Sequence, residues 1–259
     1  MVFNYNRFHN AVFMGIANEV TGKIYEQYNS VEYYFQLKRT NDSLVKANER
    51  LLNNLKQNFE MPDTVNKIAV DTIRIDSTEK YRKYQYMHAK VVGNSISLPN
   101  NYIQLNRGSL QGLQKDLGVI DINNAVIGTV IDISNNYAVV MSLLHLQSNT
   151  SAKLKKSGET GNIIWDGKNP RYVLLKDIGK NAKVNKGDSV ITSGFSDKFP
   201  YGLLIGTIAE IVEDKTTNVY TLKVKTAANF YNVEFVYVIN NLQKAEPAEL
   251  LKRVKKINE

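Results

Sequence analysis

Ile127-Gly128-Thr129-Val130-Ile131-Asp132-Ile133 recurs farther along the chain as Ile205-Gly206-Thr207-Ile208-Ala209-Glu210-Ile211. In both copies β-branched residues surround a glycine that a plain strand does not need and that a barrel corner or bulge does. A strand-type segment repeated with its glycine in place predicts two similar β units. Outward from the repeat, short apolar runs broken by Gly, Asn, Asp and Pro predict twelve strands, at 89–97, 101–106, 117–122, 125–134, 137–144, 150–156, 160–165, 171–178, 188–193, 203–212, 219–226 and 234–240. No helical period interrupts them, so the sheets must be antiparallel and closed or sandwiched. Six strands to a barrel is the expected division. It places a barrel of residues 114–178 inside an outer barrel made of 89–113 and 179–241, and a sequential split near residue 150 competes with it.

Upstream the local rules change. Residues 23–92 hold no glycine and residues 1–61 no proline, whereas thirteen of the fifteen glycines lie from Gly93 onward. Ile16, Val20, Ile24, Val31 and Phe35 trace one face of a helix. Leu37, Leu44 and Leu51 then stand seven apart, with Tyr34, Asn41, Asn48 and Leu55 at the other seam position, which predicts a coiled coil of about three heptads. Paired asparagines at one seam position favour a parallel two-stranded interface in register. Val45, Ala47 and Leu52 widen the apolar face, so docking on the chain's own body is the alternative, and Asp42, Lys46, Glu49 and Arg50 are expected to face outward. The helix is expected to occupy residues 1–60 and to stop at Met61-Pro62-Asp63. Residues 61–88 read as a connector and 242–259 as a flexible basic tail.

Composition removes whole classes of chemistry. Among 259 residues there is no cysteine and only three histidines, His9, His88 and His145, which leaves no disulfide, thiolate nucleophile or cysteine zinc site. No run approaches 18 uninterrupted apolar residues. The net charge of +8 favours acidic partners of some kind, and the alternative function is a basic nucleic-acid- or anionic-surface-binding β-barrel protein. Its cations cluster at Lys153, Lys155 and Lys156 and at Lys252, Arg253, Lys255 and Lys256, both short runs without the aromatic interleaving of a nucleic-acid groove. No nucleic-acid partner is therefore expected. Glycine spacing offers neither a dinucleotide fingerprint nor a phosphate loop, and no cofactor is expected.

One fragment tempts toward catalysis. Gly187-Asp188-Ser189 has the form of a serine-centred turn, with His88 or His145 preceding it. The bulky Val190-Ile191 that follow suit the start of a buried strand and leave no oxyanion-forming glycine, so the expectation is a chain that is not an enzyme. Asp121 and Asp132, the remaining acid/base candidates, read as turn residues.

Four glycine-marked segments stand in order behind the helix: Leu105-Asn106-Arg107-Gly108-Ser109-Leu110-Gln111-Gly112, Val126-Ile127-Gly128-Thr129-Val130, Lys186-Gly187-Asp188-Ser189-Val190-Ile191-Thr192-Ser193-Gly194 and Phe199-Pro200-Tyr201-Gly202-Leu203-Leu204-Ile205-Gly206. With the coiled coil before them, they resemble the rod shape-determining protein MreC family over nearly the whole chain. Gly108, Gly112, Gly128, Gly187, Gly194, Pro200, Gly202 and Gly206 are the expected structural turns and strand kinks. The resemblance implies a mainly β fold with a long N-terminal α-helix: a coiled coil followed by two six-stranded antiparallel β-barrels. It implies a non-enzymatic scaffold of the cell-wall elongation machinery that dimerises and binds or activates peptidoglycan synthases. Its implied partners are a second copy of itself, a class B penicillin-binding transpeptidase with its glycosyltransferase, and other membrane proteins of the elongation complex. Its implied place is the periplasm, anchored to the inner membrane by an N-terminal helix that this chain is expected to lack.

Overall fold

The computed structural model describes residues 36–55, 58–60, 72–75, 78–213 and 218–244. Contacts group the chain into two units, residues 1–48 and 49–259. The described part of the first unit is helical, and this helix, α1, runs over residues 36–53. It ends eight residues before Met61, earlier than expected. Asn53 and Asn54 are weak helix formers, and the Asn53 side chain is drawn to the backbone of Tyr86.

The second unit begins with a small sheet of β1 (Phe59–Glu60), β2 (Thr72–Ile75) and β3 (Thr78–Arg82), in the order β1-β3-β2. Much of the expected connector is therefore strand. Its last five residues belong to a barrel, on a strand that starts at Tyr84 and pairs along residues 84–90 with residues 235–241.

All twelve strands read from the sequence form, within a few residues of their expected ends. They are β4 (Tyr84–Asn94), β5 (Asn100–Leu105), β6 (Gly118–Asp121), β7 (Val126–Ile133), β8 (Ala138–His145), β9 (Thr150–Leu154), β10 (Thr160–Ile164), β11 (Tyr172–Gly179), β12 (Ser189–Thr192), β13 (Leu204–Glu213), β14 (Val219–Thr226) and β15 (Phe235–Asn241). They close into two six-stranded antiparallel barrels, β15-β4-β5-β8-β7-β6 and β9-β10-β11-β14-β13-β12. The expected allotment of strands is corrected by this order. Residues 114–145 belong to the first barrel and 189–226 to the second, and β15 alone returns to close the first. Antiparallel neighbours joined by short turns pair with each other, so β6, β7 and β8 stay together and β8 closes onto β5.

The two barrels correspond strand for strand. β7 carries a register shift against β8 between Val130 and Asp132, and β13 carries one against β14 between Ile208 and Glu210, the same places in the repeat. Before β6 the Asp116 N–H donates to the Val130 carbonyl at 2.9 Å, and before β12 the Gly187 N–H donates to that of Ile208 at 2.8 Å. Both residues have positive φ, 63° and 88°. Lys115-Asp116-Leu117-Gly118-Val119-Ile120-Asp121 is thus the counterpart of Lys186-Gly187-Asp188-Ser189-Val190-Ile191-Thr192, a second stretch of the repeat that apolar patterning alone overlooks.

The hairpins that follow differ. Asp121 accepts the N–H groups of Asn123 and Ala125, both at 2.8 Å, and closes β6 to β7 in four residues. Thr192 instead holds the base of a long loop, its Oγ1 donating to the Pro200 carbonyl at 2.6 Å and accepting from the Leu203 N–H at 2.9 Å. This loop crosses to the first barrel. Phe199 is buried, its ring lies where a side chain at Gly118 would go, and Asn241 of β15 donates to the Asp197 carbonyl at 3.1 Å. The cover explains why β6 and most of β15 are buried on both faces and read as unbroken apolar runs.

Candidate functional site

Among the described residues, two surfaces stand out for contact. The first is on α1. Leu37, Leu44 and Leu51 are 49%, 57% and 65% exposed, and Asn41 and Asn48 of the same seam are exposed too. Val45, one position and about 100° round the helix from Leu44, is 5% exposed. Leu55, expected on the seam, lies two residues beyond the helix, and Tyr34 lies outside the described residues.

The last turn of α1 is tied to β4 by side chains that helical periodicity does not single out. Asn53 donates from Nδ2 to the Tyr86 carbonyl at 3.0 Å and accepts the Tyr86 N–H on Oδ1 at 2.7 Å. A carboxamide is here doing for one residue what a neighbouring strand would do, on the edge of β4 that β5 leaves open, since β5 pairs with β4 only from Val91 onward. The Glu49 carboxylate, expected to face outward, accepts from His88 Nδ1. Arg107 Nη2 donates to His88 Nε2 at 2.6 Å, which leaves the imidazole proton on Nδ1, toward Glu49.

The second surface is the outside of the second barrel. Residues 150–226 hold thirteen Lys and Arg against eight Asp and Glu, a net +5, whereas residues 84–145 hold three against three. Several of these cations lie over rings: Lys153 over Tyr201 at 5.7 Å, Arg171 over Tyr231 at 5.8 Å and Lys223 over Tyr172 at 4.9 Å. Phe195, at the tip of the long loop, is 79% exposed. The basic run near residue 253 lies outside the described residues.

The catalytic fragment does not assemble. Ser189 opens β12, paired with Thr207, and the Asp188 carboxylate accepts the Asn185 N–H at 2.9 Å in the preceding turn. Both nitrogens of His145 are engaged, Nδ1 by the Gln147 N–H at 3.0 Å and Nε2 by the Tyr102 hydroxyl at 3.0 Å. Burial lowers its pKa. Those of His88 are committed to Glu49 and Arg107. Asp121 is a turn acceptor whose carboxyl burial pushes above its usual range, and Asp132 pairs with Lys115 at 2.7 Å.

The glycine-marked positions fall at corners and close approaches. Gly112, Gly187, Gly194 and Gly202 have left-handed φ, Gly108 packs against the Ser134 carbonyl, and Pro200 sits in the loop held by Thr192. At Gly128 and Gly206 an added Cβ would stand 2.2 Å from the Met141 oxygen and 2.1 Å from the Lys225 oxygen. Both strands must come this near for the barrel to turn its corner.

A family model described as "Rod shape-determining protein MreC, barrel core" matches residues 91–240. The chain is 29% identical over 174 residues to the cell shape-determining protein MreC of Listeria monocytogenes, covering 66% of this chain and 59% of that one. It is 29% identical over 171 residues to that of Bacillus subtilis, covering 61% and 58%. The chain therefore spans about three fifths of the length of these curated relatives. Among solved structures, MreC of L. monocytogenes aligns with a TM-score of 0.57 at 26% identity, over 82% of this chain and 92% of that one. The fold is also that found in a complex between the penicillin-binding protein PBP2 and MreC from Helicobacter pylori, with a TM-score of 0.50 at 18% identity over 62% and 100%.

Proposed function

This chain belongs to the MreC family of rod shape-determining proteins, and on that premise we propose that it is a periplasmic scaffold, dimeric through α1, that works by contact alone. The observation that carries the reading is the seam of α1. A row of leucines and asparagines stays exposed while Val45, Glu49, Leu52 and Asn53, on the neighbouring stripe, are buried or half-buried. A helix whose one stripe is used and whose leucine stripe is bare has a surface suited to a second copy, with Asn41 and Asn48 pairing across the seam to set register. Glu49 and Asn53 tie the last turn of α1 to β4. The barrels then present faces to a penicillin-binding transpeptidase and other membrane proteins of the elongation machinery, a reading supported by the existence of a complex between PBP2 and MreC in H. pylori. In this reading the whole protein is held to the inner membrane by a segment preceding the coiled coil.

The test is a mass. The protein is expected to run as a dimer in light scattering, and L37D/L44D/L51D as a monomer with an unchanged β-sheet circular dichroism spectrum. An unchanged mass would overturn the dimer. Partner binding is read separately, by capturing fluorescent-penicillin-labelled envelope proteins on the immobilised chain.

A further inference from the structure

We infer that the outer face of β10, β11 and β14 is a docking site for an acidic, extended protein segment. Three features of this face meet. Ile164 and Leu174 are register partners on β10 and β11, half-buried, and beside them Tyr172 completes an apolar centre. Around that centre stand three lysines, with Arg171 just before the strand that carries Tyr172. Lys223 and Lys225 are the β14 partners of Leu174 and Tyr172, and Lys176 is two residues along β11 from Leu174. An apolar centre with a charged rim is the anatomy of a protein interface.

The corresponding face of the first barrel shows that the fold does not require these charges. Lys223 and Lys225 pair with Glu210 and Thr207 of β13, and the residues that pair with the equivalent Asp132 and Thr129 of β7 are Val139 and Met141. Leu174 likewise has Gln104 as its counterpart. One barrel thus closes with a neutral face and the other with lysines at the same positions. Among the described residues Lys176, Lys225 and Arg171 have no carboxylate within ion-pair distance, and Lys223 has a partly exposed one, Glu210 at 3.6 Å.

Chemistry selects the occupant. Lys223 and Lys225 point the same way from one strand, about 6.8 Å apart, the spacing of alternate carboxylates on an extended peptide. The rings of Tyr172 and Tyr231 are already covered by Lys223 and Arg171, so they offer no open platform for nucleic-acid bases. The apolar centre is half-buried and level with the sheet, suited to side chains laid on it and not to insertion in a membrane.

This assignment deepens the scaffold reading and rests on it. Its probe is a fluorescein-labelled heptapeptide with glutamates at alternate positions and aliphatic residues between them, followed by polarisation at low and high salt. Wild-type protein should bind it, and binding should weaken at least about thirtyfold in K176E/K223E/K225E. It should change less than about threefold in K155E/K156E/K183E, which alters net charge equally at exposed positions elsewhere on the barrel. K176Q/K225Q, which keeps the Lys223–Glu210 pair, should show an intermediate loss and guards against a folding defect. Equal weakening by the two triple variants would reduce the effect to bulk charge and overturn the site. So would a peptide that fails to bind while phosphatidylglycerol vesicles or a DNA oligonucleotide bind through the same lysines. The light-scattering mass of the lysine variants should remain that of the wild type, so failure of this site and failure of the dimer are read apart.

Discussion

At Gly128 and Gly206 the backbone of one strand passes so near the next that no side chain fits, and the obstacle in each case is a carbonyl oxygen, which cannot step aside as a side chain can. Gly128→Ala and Gly206→Ala should each cost about 3 kcal/mol or more in urea unfolding. Gly187→Ala meets nothing within 4 Å and carries only the strain of its φ of 88°, so it should cost about 1–2 kcal/mol. A similar loss at all three positions would show that close approach is not what these glycines serve. His145 gives a pH signature. Burial lowers its pKa in the fold, whereas the unfolded chain titrates near 6.5. As pH falls through that value the unfolded state takes up the proton first, so stability present above about 6.5 is lost on acidification. The wild-type melting temperature should fall more between pH 7 and pH 5 than that of H145Q, and equal falls would remove His145 from the account.

At the scale of elements, the end of α1 depends on the strand edge it covers. Asn53→Ala leaves the Tyr86 N–H and carbonyl without their partner, and should cost about 1–3 kcal/mol in chemical denaturation. Asn53→Asp keeps one acceptor and should lose less. If the alanine variant is as stable as wild type, water replaces the carboxamide and the edge needs no cap. The helix itself was legible in the heptad leucines and in the absence of glycine and proline, but its end was not. Asn53 and Glu49 look like solvent residues on a helical wheel, and only the presence of β4 beside them turns them into ties. The twelve strands were legible because alternation and turn residues are written within each segment. The contrast between the hairpins after Asp121 and Thr192 follows from the number of residues between equivalent strands.

For the whole molecule, chain order has a mechanical consequence. Every strand of the second barrel lies between Thr150 and Thr226, whereas the first needs β15 from beyond it. Removal of residues 235–259 should open the first barrel, exposing β4 and β6 edges, and yield aggregation-prone protein with partly lost β signal. A fragment of residues 147–229 should keep its sheet and melt cooperatively, with Phe199 newly exposed and a surface prone to association. A C-terminally trimmed chain that melts like wild type would contradict closure by β15. The concentration of positive charge in one barrel is also a whole-molecule property. A net charge of +8 is visible in composition, but its gathering around Ile164 and Leu174 depends on which strands become neighbours.

By itself the sequence determined where the twelve barrel strands form, that a helix precedes them, and that one β unit occurs twice, because side-chain alternation, turn chemistry and glycine placement act within a few residues. The tertiary structure alone decided which strands share a barrel, which strand edge α1 covers and which lysines stand together. Backbone N–H and carbonyl groups are the same in every strand, so the choice of partner leaves no mark in residue type and is settled by connection lengths, closure and the packing of the assembled core.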